Sequence, residues 1–386
     1  HNYKYLGPKM RDFELERYFS KWEFKAKYHM TASDIESMSI SELLAMASKE
    51  DNDAFNHQWL GYTETYGHPE LLNEIAKTYD SVDPSHVLCF AGAEEGIYTA
   101  MRVLLEKDDH AIVVVPNYQA AETIPADICR VSGVPLDEKD NWSLDIDRVK
   151  GEIRSNTKLV SINFPNNPTG SVLNKDRFMA LVALCREHGI YLFSDEFYRL
   201  VERDPASRLP QAADVYEKAL SLNVMSKAYG LPGLRIGWIA SKDTRILSKM
   251  ERYKHYLTIC NAAPSERLAI IALKARDKIL ERNRNLLHRN IEKLDVFFGE
   301  FSDLFEWLRP DGGCVAFPKY LGRESADQFC EELVEEAGVL LLPPKIFNSE
   351  LLATPQDRFR VGFGRKNIEK GLAAFRHYLL SSSFKR

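Results

Sequence analysis

Lys227 follows the apolar run Ser221–Met225 almost directly and belongs to the stretch Ser226-Lys227-Ala228-Tyr229-Gly230-Leu231-Pro232-Gly233-Leu234-Arg235-Ile236-Gly237. A lysine becomes a nucleophile toward carbonyls when its ammonium is partly desolvated or lies near other cations. The end of a buried strand supplies the first condition, and Arg235, eight residues on, is placed to supply the second. Upstream, Asn163-Phe164-Pro165-Asn166-Asn167-Pro168-Thr169-Gly170 is a turn after a strand. Its amides offer neutral donors to an oxygen anion, and its prolines fix the loop. Asp195, twenty-eight residues after Asn167, lies in Ser194-Asp195-Glu196-Phe197-Tyr198, which closes another apolar run. That puts the Asp195 carboxylate at the C-terminal edge of a sheet, where α/β folds bind ligands. A fourth stretch, Phe90-Ala91-Gly92-Ala93-Glu94-Glu95-Gly96-Ile97, is a strand ending in small residues that open a helix. The backbone N–H groups of Ala93 and Glu94 suit an anion there, and acidic residues in a first turn also favour the helix dipole.

These residues need a sheet to converge on. Through the middle of the chain an apolar or β-branched run, a turn carrying Gly, Pro or Asn, and a helical stretch recur, which is the pattern of an α/β fold. Strands are predicted at Val87–Phe90, Ala111–Val115, Leu159–Asn163, Tyr191–Ser194, Ser221–Met225 and Ile236–Ala240, several apolar throughout, as in a sheet covered on both faces. Helices are predicted at Glu95–Leu105 and Lys175–Glu187. After Pro264, a charged run without Gly or Pro until Gly299 predicts one connecting helix from Ser265 to about Glu300. Beyond it, strands Cys314–Phe317, Val339–Leu342 and Phe359–Phe363 with helices Ser325–Ala337 and Asn367–Leu380 predict a smaller α+β unit. The expected division is an N-terminal segment, 1–45, packing on that unit, a large domain, 46–264, and the connecting helix with the small domain, 265–386.

The chain has 386 residues, 45% hydrophobic and 28% charged, too long for one compact core, and two domains are expected. Its 51 Lys and Arg against 56 Asp and Glu leave a net charge of −5, without the basic excess of a nucleic-acid binder. No run of about 18 apolar residues suggests a membrane span. The charged opening around Lys9, Arg11 and Glu14 lacks the apolar stretch of a secretory leader, so a cytoplasmic enzyme is expected. Cys89, Cys129, Cys185, Cys260, Cys314 and Cys330 never form a C-x-x-C pair, so buried reduced thiols are expected and no metal site.

In chain order, N-N-P-T-G, S-D-E-x-Y and S-K-x-x-G-x-x-G-x-R-x-G resemble the fold-type I pyridoxal-phosphate enzymes of the class I/II aminotransferase family, over about Tyr62 to Arg360. The resemblance implies a PLP-transferase-like α/β large domain with a mostly parallel central sheet, plus a smaller α+β domain. It implies pyridoxal 5'-phosphate as cofactor, held by Lys227 as a Schiff base, with Lys227 then moving protons. Asp195 would face the pyridine nitrogen, and Asn167 and Tyr198 the phenolate oxygen. Ser226, Arg235 and the Gly92-Ala93-Glu94 turn would meet the phosphate. Tyr118, in Pro116-Asn117-Tyr118, would stack on the ring. Arg360, with Arg358 as the alternative, would clamp the substrate α-carboxylate beside Asn167. Tyr62, in Gly61-Tyr62-Thr63-Glu64-Thr65-Tyr66-Gly67, would reach the phosphate of a neighbouring subunit, which implies a homodimer with composite sites.

The activity so implied is transfer of an amino group between an L-amino acid and a 2-oxo acid. A lyase, a cyclase or synthase, or a decarboxylase on the same fold is the alternative, since G-L-P-G-x-R-x-G also suits aminocyclopropane-carboxylate-synthase-like relatives. A non-enzymatic regulator is disfavoured, because the length leaves no room for a DNA-binding module. Two features depart from the family pattern. Val224 stands where many relatives carry a hydroxyl three residues before the lysine, so looser cofactor retention is expected. Tyr28–Ser37 fills the place of the substrate-covering segment. The aromatics Phe13, Tyr18, Phe19, Trp22, Phe24 and Tyr28 either line a substrate mouth or pack on a partner subunit, and packing is the favoured reading. No second arginine stands out as a clamp for an acidic side chain.

Overall fold

The apolar runs of the middle of the chain become neighbours in one sheet. In the computed structural model, which describes residues 10–386, the order across it is Val87–Phe90, Gly237–Ala240, Ala219–Val224, Tyr191–Asp195, Thr157–Asn163, His110–Val115, Arg130–Pro135. Residues 1–9, and with them Lys9 of the charged opening, lie outside the described residues. Every pairing is parallel except those of Gly237–Ala240, antiparallel to both neighbours. Strands Val87–Phe90, His110–Val115 and Ala219–Val224 are buried at every residue. Alternate side chains supply opposite faces. Leu88 and Phe90 pack with Ile97, Met101 and Met250, whereas Val87 and Cys89 pack with Leu71, Ile75 and Trp238.

The edge strand Arg130–Pro135 went unpredicted. It pairs on one side only, begins with exposed Arg130 and contains Gly133 and Pro135, all features of an edge and none of a buried run. The expected single helix after Pro264 is two, Ala263–Lys274 and Arg276–Glu300, divided at Ala275. No Gly or Pro marks the division. The first half packs on helices Lys49–Asn56 and Pro69–Ala76, the second on Ile368–Leu380, and one straight rod would not serve both. Arg267 and Lys274 fasten the first half through Asp51 and Glu70, at 2.8 to 3.3 Å.

The C-terminal strands are shorter than predicted. Val315–Ala316 runs antiparallel to Val361–Gly362, and Phe305–Glu306 to Lys319–Tyr320. An aromatic core of Phe297, Phe298, Phe305, Phe329, Phe359 and Phe375 lies beneath them. Tyr28–His29 pairs in parallel with Val339–Leu340, and Gly362 N donates to Met30 O at 2.8 Å. A Cβ on Gly362 would stand 2.2 Å from Ala32 O, so only glycine admits the chain this closely. The pass delivers Thr31–Asp34 to the C-terminal ends of the sheet strands. All six cysteines are free, with Cys89, Cys185, Cys314 and Cys330 buried. Among the described residues no helix is long and apolar enough to cross a membrane, and no group of three or more His, Cys, Asp or Glu could hold a metal ion.

Candidate active site

A cavity of about 480 Å³ opens where the parallel strands end. Asp195, the last residue of its strand, lines it together with Asn167, Ser226 and Lys227 from the loops that follow neighbouring strands. Ala93, Glu94, Tyr118, Pro232 and Arg235 complete one wall. Lys227 Nζ donates to Ser33 Oγ at 2.5 Å and lies 5.8 Å from the centre of the Phe197 ring. Burial pulls the Lys227 ammonium below its ordinary value; Asp34 and Cys314 oppose the shift and Arg360 adds to it. Arg360 thus acts as a nearby cation, and Arg235, to which the sequence pointed, lines the same cavity.

Asp195 is 5% exposed and, among the described residues, has no ion-pair partner. Its carboxylate accepts one long bond, 3.4 Å, from Phe197 N. Burial raises it well above the carboxylate range, against the pull of that N–H and of Lys227. Asn167 Oδ1 accepts from Arg360 Nη1 at 3.2 Å, and its backbone N–H donates to Asn163 Oδ1 at 2.8 Å. An oxygen held by a guanidinium fixes the amide, so its NH₂ is the group turned to the cavity. Tyr118 donates its hydroxyl to Glu94 Oε2 at 2.5 Å.

Some predicted residues are not brought to the cavity surface. Tyr198 is wholly buried and gives its hydroxyl to Ser33 O at 2.6 Å. Arg360, also wholly buried, stands behind Asn167 and donates to Thr31 O at 2.7 Å and to Thr31 Oγ1 at 3.3 Å. Arg358 is held elsewhere, by Glu138 Oε1 at 2.7 Å and Phe317 O at 2.8 Å. Tyr62 is 84% exposed and does not line the cavity of its own chain.

Other lining residues come from the N-terminal segment. Phe13 and Phe19 line the cavity, as the substrate-mouth alternative has it. Helix Glu14–Trp22 contributes Glu16 and Phe19 to the lining, and the Phe13 ring centre is 5.4 Å from that of Tyr118. Ser33 and Asp34 line it as well, with Asp34 paired to Arg365 at 2.8 Å. In sequence, Thr31-Ala32-Ser33-Asp34 is indistinguishable from any polar turn. Its importance comes from contacts that span 194 and 329 residues.

A sequence model of the family aminotransferase class I and II matches residues 31–375. The chain belongs to this family. A PLP-dependent aminotransferase from Streptococcus suis 89-1591 superposes with a TM-score of 0.90 at 30% identity, covering 98% of this chain and 100% of that one. Capreomycidine synthase from Streptomyces vinaceus is 27% identical over 375 residues, 95% of this chain and 92% of that protein. Aspartate aminotransferase from Pyrococcus horikoshii is 26% identical over 303 residues, 76% and 77% of the two chains. Pyridoxal phosphate is therefore the cofactor of this aminotransferase.

The residues present fit that group. Gly92 has φ +91°, and a Cβ there would stand 2.5 Å from Arg235 Nη2, so the turn and the guanidinium close on one another. Helix Ala93–Leu104 has no side-chain cap over its first N–H groups. Arg235 has no ion-pair partner among the described residues. An anion is thus wanted at one end of the cavity. A cation is wanted at the other, beside Asp195, as a phosphate and a pyridinium would provide. A methyl at Gly92 would push Arg235 aside and remove a charge-assisted contact. Gly92→Ala is expected to weaken cofactor binding about 10- to 100-fold, read by absorbance titration of the apoprotein. An unchanged dissociation constant would place the phosphate elsewhere.

Proposed function

We propose that this aminotransferase moves an amino group between an L-amino acid and a 2-oxo acid with Lys227 as its proton-transfer base. The observation that carries the reading is the pairing of Lys227, its ammonium disfavoured by burial, with Asp195, a buried carboxylate lacking a cation, in one cavity. Bound between Asp195 and the Gly92–Glu94 turn, the cofactor supplies an electron sink for the electron pair left at the substrate Cα. Asp195 would hold positive charge at the ring nitrogen, and Tyr118 would flank the ring. The Asn167 amide would serve the phenolate side, Tyr198 behind it holding Ser33 O, while Ser226, Arg235 and the Ala93 and Glu94 N–H groups would hold the phosphate. Arg360, buried behind Asn167, would meet the substrate α-carboxylate on giving up its bonds to Thr31 O and Oγ1, while its bond to Asn167 Oδ1 keeps it beside that residue. Lys227 Nζ, held by Ser33 Oγ, takes the proton from Cα and returns one in the reverse direction. Phe13 and Phe19 exclude water.

The unit that works is a homodimer in the cytoplasm. Trp59, Leu60 and Tyr62 are 76%, 78% and 84% exposed, and Tyr256, Leu257 and Ile259 are exposed beside Asn261, whose carbonyl accepts from Thr63 Oγ1 at 3.1 Å. This cluster suits an interface, with Tyr62 directed to the partner's phosphate. A cyclase or synthase reaction is the second reading, favoured by the likeness to capreomycidine synthase over 95% of the chain. Absorption spectra of the holoenzyme with a panel of amino acids, followed by assay of amino transfer to added 2-oxo acids, separate the two. Net transfer establishes the transaminase. A perturbed cofactor band without transfer would favour the synthase.

A further inference from the structure

Ser33 stands between the segment that crosses the strand ends and the amine in the cavity. Its Oγ accepts from Lys227 Nζ at 2.5 Å, and among the described residues Nζ has no other hydrogen-bond partner. A lysine amine rides on a flexible four-carbon stem and turns freely unless a group outside its own side chain holds it. Phe197, with its ring centre 5.8 Å from Nζ, offers a face but sets no direction. An accepting oxygen does set one. It fixes one N–H, and with it the direction in which the lone pair of the neutral amine points.

The Ser33 peptide is itself held firmly. Its carbonyl accepts from the wholly buried Tyr198 hydroxyl at 2.6 Å and from Cys314 Sγ at 3.3 Å. Beside it, Asp34 Oδ1 accepts from Arg365 Nε and Nη2 at 3.0 and 2.8 Å. Thr31, on one side, takes the Arg360 guanidinium, and Glu36 N, on the other, donates to Gly364 O at 2.7 Å. A hydroxyl on a peptide fixed in this way is preorganised, and preorganisation of a group that touches the reacting atoms is what speeds a proton transfer.

We propose that Ser33 is a positioning residue for proton transfer: its hydroxyl orients the free Lys227 amine, and Tyr198 and Cys314 act through it by fixing its peptide. The proposal rests on the reading of Lys227 as the proton-transfer base. It also gives a role to Tyr198, whose one hydroxyl proton already goes to Ser33 O. A sign follows for the titration of the amine. Burial disfavours the ammonium most, Arg360 disfavours it too, and Asp34, Cys314, Asp195 and Glu94 favour it. An oxygen that accepts from Nζ joins the favouring side, because it bonds the charged form more strongly than the neutral one. Without the hydroxyl, Lys227 should titrate at lower pH and yet react more slowly, so excess protonation cannot account for the loss of rate.

The test sets wild type beside Ser33→Ala, Ser33→Thr, Tyr198→Phe, the Ser33→Ala/Tyr198→Phe double variant and Lys227→Ala. In lysine-labelled apoprotein, the NMR signal of the Lys227 side chain is assigned by its absence from Lys227→Ala and followed through its titration. Ser33→Ala should titrate at lower pH than wild type, and Ser33→Thr, which keeps the hydroxyl, close to it. In the holoenzyme, single-turnover rates with the reactive members of a panel of L-amino acids should fall about 10- to 100-fold in Ser33→Ala, the effect of a hydrogen bond to a charged group. The amino-acid dissociation constant should change little, and Ser33→Thr should recover most of the rate. Tyr198→Phe should be slower than wild type, and the double variant no slower than Ser33→Ala, because both act through one hydroxyl. An unchanged titration in Ser33→Ala, wild-type rates there beside an inactive Lys227→Ala, a loss that threonine does not repair, or additive losses in the double variant would overturn the proposal and leave Lys227 as the base. Full turnover by Lys227→Ala would remove the base itself, and the proposal with it.

Discussion

The Lys227→Ala holoenzyme is expected to turn over about 10⁴-fold more slowly than wild type while still binding amino acids, because a positioned base contributes up to roughly that factor. Among the lining residues, Lys227 alone joins an amine with burial, a short contact to Ser33 and the neighbourhood of Arg360. Carboxylate recognition is undisturbed in the variant, since the Arg360–Asn167 contact does not involve the lysine. Single-turnover rates should collapse while the amino-acid dissociation constant shifts only modestly. Added methylamine should restore part of the rate, an outcome a folding defect would not produce. The fold should tolerate the change. A lysine whose folded value lies below its ordinary one burdens the native state at low pH, and the burden lifts as pH rises toward the ordinary value. Between the apoproteins, where the amine is free, the variant's stability gain over wild type is therefore largest at the acid end. Residual turnover above about 1% would assign the base elsewhere.

Legibility in the sequence followed how local each signal was. Six sheet strands were visible because each is a short apolar run bounded by turn residues. Lys227, Asp195 and Asn167 were visible because strand ends place them, and the structure brings all three into one cavity. Arg130–Pro135 was hidden because an edge strand need not be apolar, and the division at Ala275 because packing, not composition, breaks the helix. The part of the N-terminal segment in the lining was ambiguous for a different reason. Phe13 and Phe19 left two readings open, substrate mouth or packing, and nothing local says that their segment lies against a cavity lined mostly by residues 93–235. Ser33 is the extreme case, a turn residue made significant by a partner 194 positions away.

Asp195→Asn is expected to act with opposite signs on the protein with and without cofactor. Without it, burial holds the Asp195 carboxyl well above its unfolded value of 3.8. The folded state then keeps a proton that the unfolded state releases, so stability falls as pH rises from 3.8 through the folded value. Asparagine fills nearly the same volume and cannot ionise. The variant apoprotein should therefore melt at a higher temperature than wild type at pH 8, and the difference should shrink as pH is lowered toward 4. With cofactor the order reverses. The wild-type carboxylate gains a cationic ring nitrogen, and losing one partner of a buried charged pair costs about 2–5 kcal/mol, roughly 30- to 4,000-fold in cofactor affinity or turnover. The crossing is the diagnostic result, because a residue that merely packs well shifts both forms in the same direction. Melting curves of apo and holo protein at pH 5 and pH 8, for wild type and variant, contain the whole comparison, and parallel shifts would remove Asp195 from the ring nitrogen.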